Sequence, residues 1–310
     1  MSPARTRLRL ATRGSALARY QAGLVASLLS AASKGAVAAE LVVVETRGDR
    51  SKEVPIHALG AQGLFVKEVE AAVLEGRAEA AVHSAKDLPA SKEAGGGLLS
   101  ILAVLQRADP RDCLVGARLG DLPAGAVVAT GSVRRRAQLA WLRPDLLFTE
   151  LRGNIETRLQ KVPPGGAVVM AKAALDRLGR GELVAEALSV AVMLPQVGQG
   201  AIAVSGREED AETRELLSLV DHRASRLCLE AERAYLAGVG GGCQLTVGGL
   251  ATLGGDGSLV LEAMIASLDG HRVLRRRAAG SDPLSLGAGL AVSLLRDCGG
   301  EDLLAAAARR

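Results

Sequence analysis

Residues 126–149 of the chain read AVVATGSVRRRAQLAWLRPDLLFT, and their pattern is that of a strand, a helix and a second strand. An apolar run predicts a strand over Ala126–Thr130, the next residues predict a helix over Val133–Leu142, and a further apolar run predicts a strand over Leu146–Thr149. Strands that alternate with helices in this way are typical of α/β proteins.

The same alternation extends to both sides of this unit. Short apolar runs predict strands at Leu8–Ala11, Leu41–Thr46, Ala80–His83, Leu98–Leu105 and Ala167–Ala171. Amphipathic stretches predict helices at Ser15–Leu29, Gly63–Gly76 and Ala173–Leu178. In the second of these helices, apolar side chains recur at helical spacing and are expected to line one face; they are Leu64, Phe65, Val69, Ala72 and Val73.

The last third of the chain has a different pattern. A helix is predicted at Ala224–Ala237, followed by strands at Thr246–Thr252, Leu259–Ala266 and Arg272–Arg277 and by helices after Pro283. Gly-Gly-Asp-Gly and Asp-Gly separate the strands, and such turns are typical of hairpins. This region is therefore predicted to be an α+β domain.

Length and composition predict a globular chain with more than one domain. At 310 residues it exceeds one typical core, and two or three domains of about 100–150 residues are expected. Its 48% apolar and 23% charged residues are ordinary for such proteins. Only 2% of the residues are aromatic, which argues against binding of single-stranded nucleic acid, because that relies on aromatic stacking.

The net charge of +4 comes from 38 basic and 34 acidic residues, and 31 of the basic ones are arginine. A compositional preference for arginine explains this without any function. A groove for carboxylates explains it equally well, because a guanidinium grips a carboxylate with two parallel hydrogen bonds. Composition alone does not separate the two interpretations.

The cysteines predict a reduced, cytosolic protein. Cys113, Cys228, Cys243 and Cys298 show neither Cys-x-x-Cys pairing nor metal-ligand spacing. No apolar run reaches the roughly 18–20 residues that cross a bilayer, so no membrane partner is expected. Residues 1–39 contain no acidic residue, which is typical of transit peptides. A strand is already predicted to begin at Leu8, however, and it leads to candidate site residues. We therefore expect no cleavable presequence.

A polar cluster follows the strand at Ala80–His83. The segment Ala81–Pro89 places Ser84, Lys86 and Asp87 directly after the apolar run, and the carboxyl ends of strands are where open α/β sheets bind ligands. Lys86 and Asp87 together can hold an anionic group and stabilise a developing cation. A solvated ion pair at a surface turn is the alternative, and this segment alone does not decide.

A second candidate site lies at Ala129–Arg136, where a strand ends in Thr-Gly-Ser and the next helix opens with three arginines. Helix N-termini favour anions, so cations in the first turn are unfavourable unless an anion joins them. Phosphate, carboxylate or a nucleic-acid backbone would fit equally, and a solvated charge run is the alternative. Arg152 and Arg158, around a further predicted helix start, are either anion ligands or plain surface residues.

A glycine-rich loop at Gly240–Gln244 contains Cys243. Three glycines leave the backbone free to adopt positive φ and clear space around the sulfur. An accessible thiol near basic groups becomes a nucleophilic thiolate. A loop cysteine without a function is the alternative.

Taken in this order, these segments resemble the porphobilinogen deaminase family from Leu8 to about Gly249. Each segment alone is a weak signal, but an ordered set across about 240 residues is highly specific. The further matching segments are Ala11–Ser15, Thr46–Asp49, Gly63–Glu68, Asp109–Asp112 and Val197–Gly200.

The resemblance implies two periplasmic-binding-protein-like (type II) α/β domains that flank an active cleft, plus a C-terminal α+β domain. The first domain is expected to comprise residues 1–104 and 200–222 and to carry the catalytic aspartate. Residues 105–199 would form the arginine-rich second domain, and residues 223–310 the domain with the cofactor cysteine. The chain would cross between the first two domains near Leu105–Asp109 and near Gln196–Gly200.

The resemblance also implies a reaction. Cys243 matches the cysteine that carries the cofactor dipyrromethane, two linked pyrroles, through a thioether. Porphobilinogen would lose ammonia to give an azafulvene electrophile, the growing chain would attack it, and four rounds would give a tetrapyrrole that water releases as hydroxymethylbilane. Asp87 matches the catalytic aspartate, whose carboxylate would stabilise positive charge on the pyrrole nitrogen and assist proton transfer.

A larger set matches positions that hold the carboxylate arms of cofactor and growing chain. Each added pyrrole brings two carboxylates, and the resemblance therefore favours the carboxylate-groove interpretation of the arginine content. The set comprises Arg13, Ser15, Lys67, Ser84, Lys86, Thr130, Ser132, Arg134, Arg135, Arg152, Arg158, Arg177 and Gln199.

Five positions depart from the family pattern, and none of them removes Asp87, Cys243 or the central arginines. They are expected to affect the rigidity of the cofactor loop and the rate of turnover more than the reaction itself. They are Gln62 in place of Lys, Gly131 in place of Ser, Ala174 in place of Gly, Gly240 in place of an acidic or amide residue, and Thr246 in place of Pro.

Two other function classes compete with the enzyme. A non-catalytic solute-binding protein would leave Asp87 and Cys243 without a shared role, and an exported one would need a signal peptide, which is not visible. A nucleic-acid binder would use Arg134–Arg136, but the near balance of charges argues against it. We therefore expect porphobilinogen as the small-molecule partner, neither nucleic acid nor membrane, and a monomer.

Overall fold

The computed structural model describes residues 6–45, 64–90, 99–241 and 245–308. Thirteen strands lie in these residues. In chain order they are β1 (Thr6–Arg13), β2 (Val37–Val44), β3 (Ala80–Ser84), β4 (Ser100–Val104), β5 (Asp112–Val115), β6 (Val127–Ala129), β7 (Leu147–Thr149), β8 (Ala167–Ala171), β9 (Val184–Ala187), β10 (Ile202–Gly206), β11 (Val247–Leu253), β12 (Leu259–Ala266) and β13 (Val273–Gly280).

Nine α-helices lie in the same residues. None of them is both long and apolar enough to cross a membrane. They are α1 (Ala16–Ala32), α2 (Leu64–Leu74), α3 (Val133–Leu142), α4 (Ile155–Leu159), α5 (Lys172–Arg177), α6 (Ala211–Ser218), α7 (Arg223–Gly238), α8 (Pro283–Val292) and α9 (Gly300–Ala308).

Each predicted strand and helix has a counterpart, and α3, β8 and β12 match the predicted bounds to the residue. Val69, Ala72 and Val73 are fully buried, which confirms the predicted apolar face of α2 for these three. The predicted ends at Thr46, Gly63 and Leu98 lie outside the described residues, as do the side chains of Leu64 and Phe65.

The sequence patterns do not predict β5, β9 or β10. Each has only four or five residues, too few to establish a period. All three pair antiparallel with distant neighbours: β5 with β8 and β9, and β10 with β3 and β4. Their existence therefore depends on tertiary pairing more than on local sequence.

The chain divides into two compact units, and the first combines Met1–Ala108 with Ala201–Arg226. Its sheet has the order β2-β1-β3-β10-β4, in which β1 runs parallel to β2 and β3. Alternate side chains of β1 enter two different cores, because successive residues of a strand face opposite sides. Leu8 and Leu10 pack with Val25 of α1, whereas Ala11 packs with Val69 of α2. The sheet thus lies between helices, as an α/β fold requires.

The second unit combines Asp109–Gly200 with Leu227–Arg310. It contains a five-stranded sheet of order β7-β6-β8-β5-β9 and a separate three-stranded antiparallel sheet, β11-β12-β13. The smaller sheet packs on α7 and α8, with Tyr235, Leu261 and Leu290 in its core. Two five-stranded α/β sheets and a C-terminal α+β part confirm the predicted fold class. The three predicted domain ranges remain a prediction.

Several hydrogen bonds tie the C-terminal sheet to residues 190–198 within the second unit. The Gly249 N–H donates to the Pro195 carbonyl oxygen at 2.9 Å. The buried carboxylate of Glu232 accepts from the backbone N–H groups of Gly198 at 2.7 Å and Ala251 at 2.9 Å. Residues 190–198 precede the return of the chain to the first unit, and the C-terminal part of the chain therefore holds them in place.

Candidate functional site

The carboxyl end of β3 holds the first group of predicted site residues, in the first unit. β3 is buried, and a 3₁₀ turn over Ala85–Asp87 follows it. The Ala85 N–H donates to the Ala201 carbonyl oxygen at 3.0 Å, which fixes the turn to the start of β10. Asp87 is exposed, and its carboxylate has no hydrogen bond or ion pair with any residue that the structure describes. It is thus open to the N–H groups of a ligand.

The residues next to Asp87 are anchored more firmly. The Ser84 hydroxyl accepts a hydrogen bond from Gln21 Nε2 on α1 at 2.8 Å, and Lys86 is half-buried. Because Ser84 already has a protein partner, its orientation is set before any ligand binds. The alternative interpretation of this segment was a solvated ion pair of Lys86 with Asp87, and no such pair occurs among the contacts that the structure describes.

β1 brings Arg13 and Ser15 to the same edge of the sheet. β1 and β3 are parallel neighbours, so their carboxyl ends lie side by side. Burial, together with the nearby positive charge of Arg13, lowers the pKa of His83 to about 4. Ser15 caps α1, where its hydroxyl accepts from the Ala18 N–H at 3.3 Å. Lys67 is exposed on α2.

In the second unit, the loop between β6 and α3 is closely packed. The Thr130 hydroxyl accepts from the Ser132 N–H at 3.2 Å, and the Ser132 hydroxyl caps α3 by accepting from the Arg135 N–H at 3.4 Å. A Cβ atom built on Gly131 would lie 2.7 Å from the Leu151 carbonyl oxygen. Serine at this position would require the loop to move, which gives the departure at Gly131 a steric reason.

Arg134 and Arg135 are both buried and share the carboxylate of Asp112. Asp112 is 0% exposed, and the two arginines are 3% and 7% exposed. Arg134 Nη1 lies 2.8 Å from Asp112 Oδ2, while Arg135 Nε and Nη2 lie 2.9 Å and 2.8 Å from Oδ1. Burial alone would raise the pKa of Asp112, but the two guanidinium groups outweigh it and hold that pKa well below its usual value.

The arginine run therefore does not behave as a solvated charge run. Its third member, Arg136, is exposed, with its guanidinium 6.0 Å from the ring centre of Phe148. With Arg134 and Arg135 buried, the run offers a nucleic acid one exposed cation. In the sequence, Asp112 stands out only as part of a segment that matches the family, and no local pattern marks it as the partner of these arginines.

The turn at Val197–Gly200 joins the same cluster. Gly198 and Gly200 have φ values of +74° and +86°, a conformation that glycine adopts without strain. The Gln199 amide Nε2 donates to Asp112 Oδ1 at 2.9 Å and to the Pro110 carbonyl oxygen at 2.8 Å. Arg177 Nη2 donates to the Gly200 carbonyl oxygen at 2.7 Å. The structure thus brings Gln199 to Arg135 through Asp112.

Arg152 and Arg158 flank the start of α4. Arg152 Nε lies 3.7 Å from a Glu150 carboxylate oxygen, and Arg158 Nε donates to the Gly153 carbonyl oxygen at 2.8 Å. Both side chains are half-buried. Leu151 also contacts Gly131, so Arg152 directly follows the residue against which the β6–α3 loop packs.

Cys243, the predicted attachment residue, and Gln62 lie outside the described residues. The neighbouring Gly240 has a φ of +94°, consistent with a tight turn after α7. Thr246 is buried and its hydroxyl donates to the Ala266 carbonyl oxygen, while Ala174 is half-buried in α5. Further along, a Cβ atom on Gly248 would lie 3.4 Å from Arg134 Cδ. β11 therefore packs directly on the Arg134 side chain.

Two family models match the chain and together cover most of its length. Residues 8–215 match "Porphobilinogen deaminase, dipyromethane cofactor binding domain", and residues 226–296 match "Porphobilinogen deaminase, C-terminal domain". Among solved structures, the chain is similar to the methionine-binding protein MetQ, with a TM-score of 0.42, 12% identity, and 69% of this chain and 89% of that chain covered. A periplasmic solute-binding protein from Roseobacter denitrificans gives a TM-score of 0.37, 12% identity, and coverage of 70% and 78%.

Curated relatives match over nearly the full length. A porphobilinogen deaminase of Roseiflexus castenholzii is 46% identical over 308 residues, which cover 97% of this chain and 99% of that protein. A porphobilinogen deaminase of Nitratidesulfovibrio vulgaris is 42% identical, with 96% of each chain covered. The chain therefore belongs to the porphobilinogen deaminase family.

Proposed function

We propose that this chain is a hydroxymethylbilane synthase, a transferase that deaminates porphobilinogen and joins four pyrroles head to tail. The observation that carries this function is the match of residues 8–215 to the dipyrromethane cofactor-binding domain. The C-terminal model and the near full-length relatives agree with it. The product belongs to tetrapyrrole and heme biosynthesis.

The second unit fits a cofactor with carboxylate arms. Arg134 Nε is buried and has no hydrogen-bond partner among the described residues. A pyrrole carboxylate would satisfy this donor. When bound, the dipyrromethane supplies the pyrrole end to which each new unit is joined. Thr130, Ser132 and Arg134 are the residues of this loop that we propose hold it, and we assign Arg135 a supporting role because Asp112 and Val169 already accept from its nitrogens.

Asp87 is the residue that we propose acts on the reacting pyrrole. Its carboxylate is exposed and stands at the end of a buried strand, on a turn fixed by the Ala85–Ala201 hydrogen bond. A carboxylate held in this way accepts a pyrrole N–H and stabilises positive charge on that nitrogen as ammonia leaves. It also accepts and returns a proton during coupling. Because no described residue neutralises it, its full negative charge is available to the substrate.

The remaining predicted residues are proposed to bind the other carboxylate arms. Each unit contributes its own set of cations, which suits a chain that gains two carboxylates with each pyrrole. The side-chain amide of Gln199 donates its hydrogen bonds to Asp112 and Pro110, so we assign Gln199 a supporting role. The first unit contributes Arg13, Ser15, Lys67, Ser84 and Lys86, and the second contributes Arg152, Arg158 and Arg177.

We propose Cys243 as the cofactor attachment residue, and intact-mass measurement tests this. Protein from cells that make porphobilinogen is expected to carry the mass of two pyrroles, and Cys243→Ser is expected to lack it. Cys298→Ser is the matched control and should keep the adduct. An unmodified wild-type mass would contradict the proposed function, whereas an adduct retained in Cys243→Ser would contradict the attachment residue alone. We further expect a cytosolic monomer. Size-exclusion chromatography of the loaded protein tests the expected oligomeric state.

A further inference from the structure

The two buried arginines of α3 use their donors differently. Both Arg134 hydrogen bonds come from Nη1, at 2.8 Å to Asp112 Oδ2 and at 2.7 Å to the Leu194 carbonyl oxygen. Within the described part of the chain, its Nε has no acceptor. Arg134 is therefore anchored at one nitrogen. Its Nε/Nη2 edge, which is the edge that binds carboxylates side-on, is not used by any residue that the structure describes.

Arg135 shows the opposite arrangement. Its Nε and Nη2 lie 2.9 Å and 2.8 Å from Asp112 Oδ1, so the corresponding edge is already filled by the protein. Its Nη1 donates to the Val169 carbonyl oxygen at 2.9 Å. The two adjacent arginines therefore differ. Arg134 can bind a ligand carboxylate side-on, whereas the same edge of Arg135 is already bound to Asp112.

Asp112 connects these two arginines to the rest of the unit. It is the first residue of β5, which lies between β8 and β9 in the five-stranded sheet, and it also accepts from Gln199 Nε2 at 2.9 Å. One buried negative charge faces two buried positive charges, so the cluster carries an excess positive charge. Burying an uncompensated charge is costly. An incoming carboxylate that joins Arg134 removes this excess.

We propose that Asp112 is a positioning residue that anchors Arg134 by Nη1 so that its Nε/Nη2 edge grips one carboxylate of the pyrrole cofactor. This inference rests on the proposed function. Packing supports it, because Gly248 of β11 lies against Arg134 Cδ and Gln138 Nε2 shares the Leu194 carbonyl oxygen at 3.0 Å. The side chain is thus held along its length as well as at its tip. Preorganised donors of this kind bind an anion without first rearranging.

The test compares thermal unfolding before and after cofactor loading. Protein is purified without cofactor from cells unable to make porphobilinogen, then incubated with porphobilinogen, and the extent of loading is read by intact mass. A ligand that binds only the folded state raises the unfolding midpoint. We expect Asp112→Asn to lose at least half of the rise seen in wild type, and to need about tenfold more porphobilinogen for half-loading, since one charge-assisted contact is weakened.

Coupling to Arg134 separates positioning from general stability. Arg134→Gln should lose the same part of the rise, and the double variant should lose no more than either single variant, because both act through one contact. Asp145→Asn is the matched control: it breaks the exposed Arg143–Asp145 pair, at 2.6 Å, in the same unit, and should leave the rise unchanged. A purely structural Asp112 would instead lower the midpoints of both forms equally, and that result would overturn the inference.

Two further variants keep the test decisive if Asp112→Asn does not fold. Asp112→Glu keeps the charge but displaces it, and Gln199→Met removes one of the hydrogen bonds that hold the carboxylate. Both should reduce the rise on loading by less than Arg134→Gln does. A full wild-type rise in both would overturn the inference. Absence of any adduct in wild type would instead contradict the proposed function itself, so the two failures are distinguishable.

Discussion

At the scale of single residues, the contrast between exposed Asp87 and buried Asp112 separates two uses of a carboxylate. Asp112 has three side-chain partners and no exposure, so its negative charge is already paired with groups of the protein. Asp87 has no described partner and faces solvent. A carboxylate that stabilises a transient cation on the substrate must not already be paired with a protein cation. This contrast supports the proposed chemical role of Asp87 and the proposed positioning role of Asp112.

Asp87→Ala is predicted to fold normally but to lose turnover. An exposed side chain without partners contributes within about 0.5 kcal/mol to stability, whereas loss of an electrostatic stabiliser costs about 10²-fold or more in kcat. Urea unfolding and steady-state release of hydroxymethylbilane measure the two effects. Asp121→Ala is the matched control, because Asp121 is also exposed and also ends a 3₁₀ turn. Activity of Asp87→Ala within a few-fold of wild type would show that its assigned role is wrong.

At the scale of secondary-structure elements, α2 buries a carboxyl group that no ion pair accompanies among the described residues. Glu70 is 4% exposed, on the helix face that carries Val66, Val69 and Val73. Burial raises the pKa of Glu70 from 4.5 to about 7. The folded protein thus binds this proton more tightly than the unfolded chain does. The resulting stabilisation is complete below about pH 4.5 and is lost as the pH rises to about 7.

Glu70→Gln is predicted to remove this pH dependence and to stabilise the protein near neutral pH. The gain over wild type should grow from near zero at pH 4.5 to about 3 kcal/mol above pH 7. His83 has the opposite effect. Because its pKa is lowered to about 4 in the folded protein, its contribution to the free energy of unfolding is lost as the pH falls below 6.5. The difference between variant and wild type is therefore measured by urea unfolding at each pH. Glu75→Gln, at an exposed residue just after α2, should show no such trend.

The elements that sequence patterns predict well are those whose pattern is local. α3 begins after its cap at Ser132 and continues for ten residues without glycine or proline, and its predicted bounds are confirmed. β5 is only Asp112–Val115 and opens with a charged residue, so no local pattern marks it as a buried strand between two others. For the same reason the partner of Arg134 could not be predicted: the sheet order β6-β8-β5 decides that it is Asp112 and not a nearer acid.

At the scale of the whole molecule, the candidate site residues of the two units differ in whether protein groups already bind them. The first unit presents Asp87 on a fixed turn without a described partner, and the second presents arginines already bound to protein acceptors. Family membership explains why both sets of residues occur in one chain. The sequence resemblance could name candidate site residues, but it could not show which of their donors are already bound by protein acceptors.

Within the second unit, the C-terminal part of the chain holds the turn at Val197–Gly200, and Glu232 is the residue that should reveal this. Its fully buried carboxylate accepts from the N–H groups of Gly198 and Ala251. Glu232→Gln can accept only one of these, which leaves a buried donor unsatisfied at a cost of about 1–3 kcal/mol. We expect lower stability in urea and faster hydrogen exchange at both amides. The exposed Glu182→Gln should change neither. Exchange that accelerates at Ala251 alone would mean that Glu232 supports β11 without holding the turn beside Gln199.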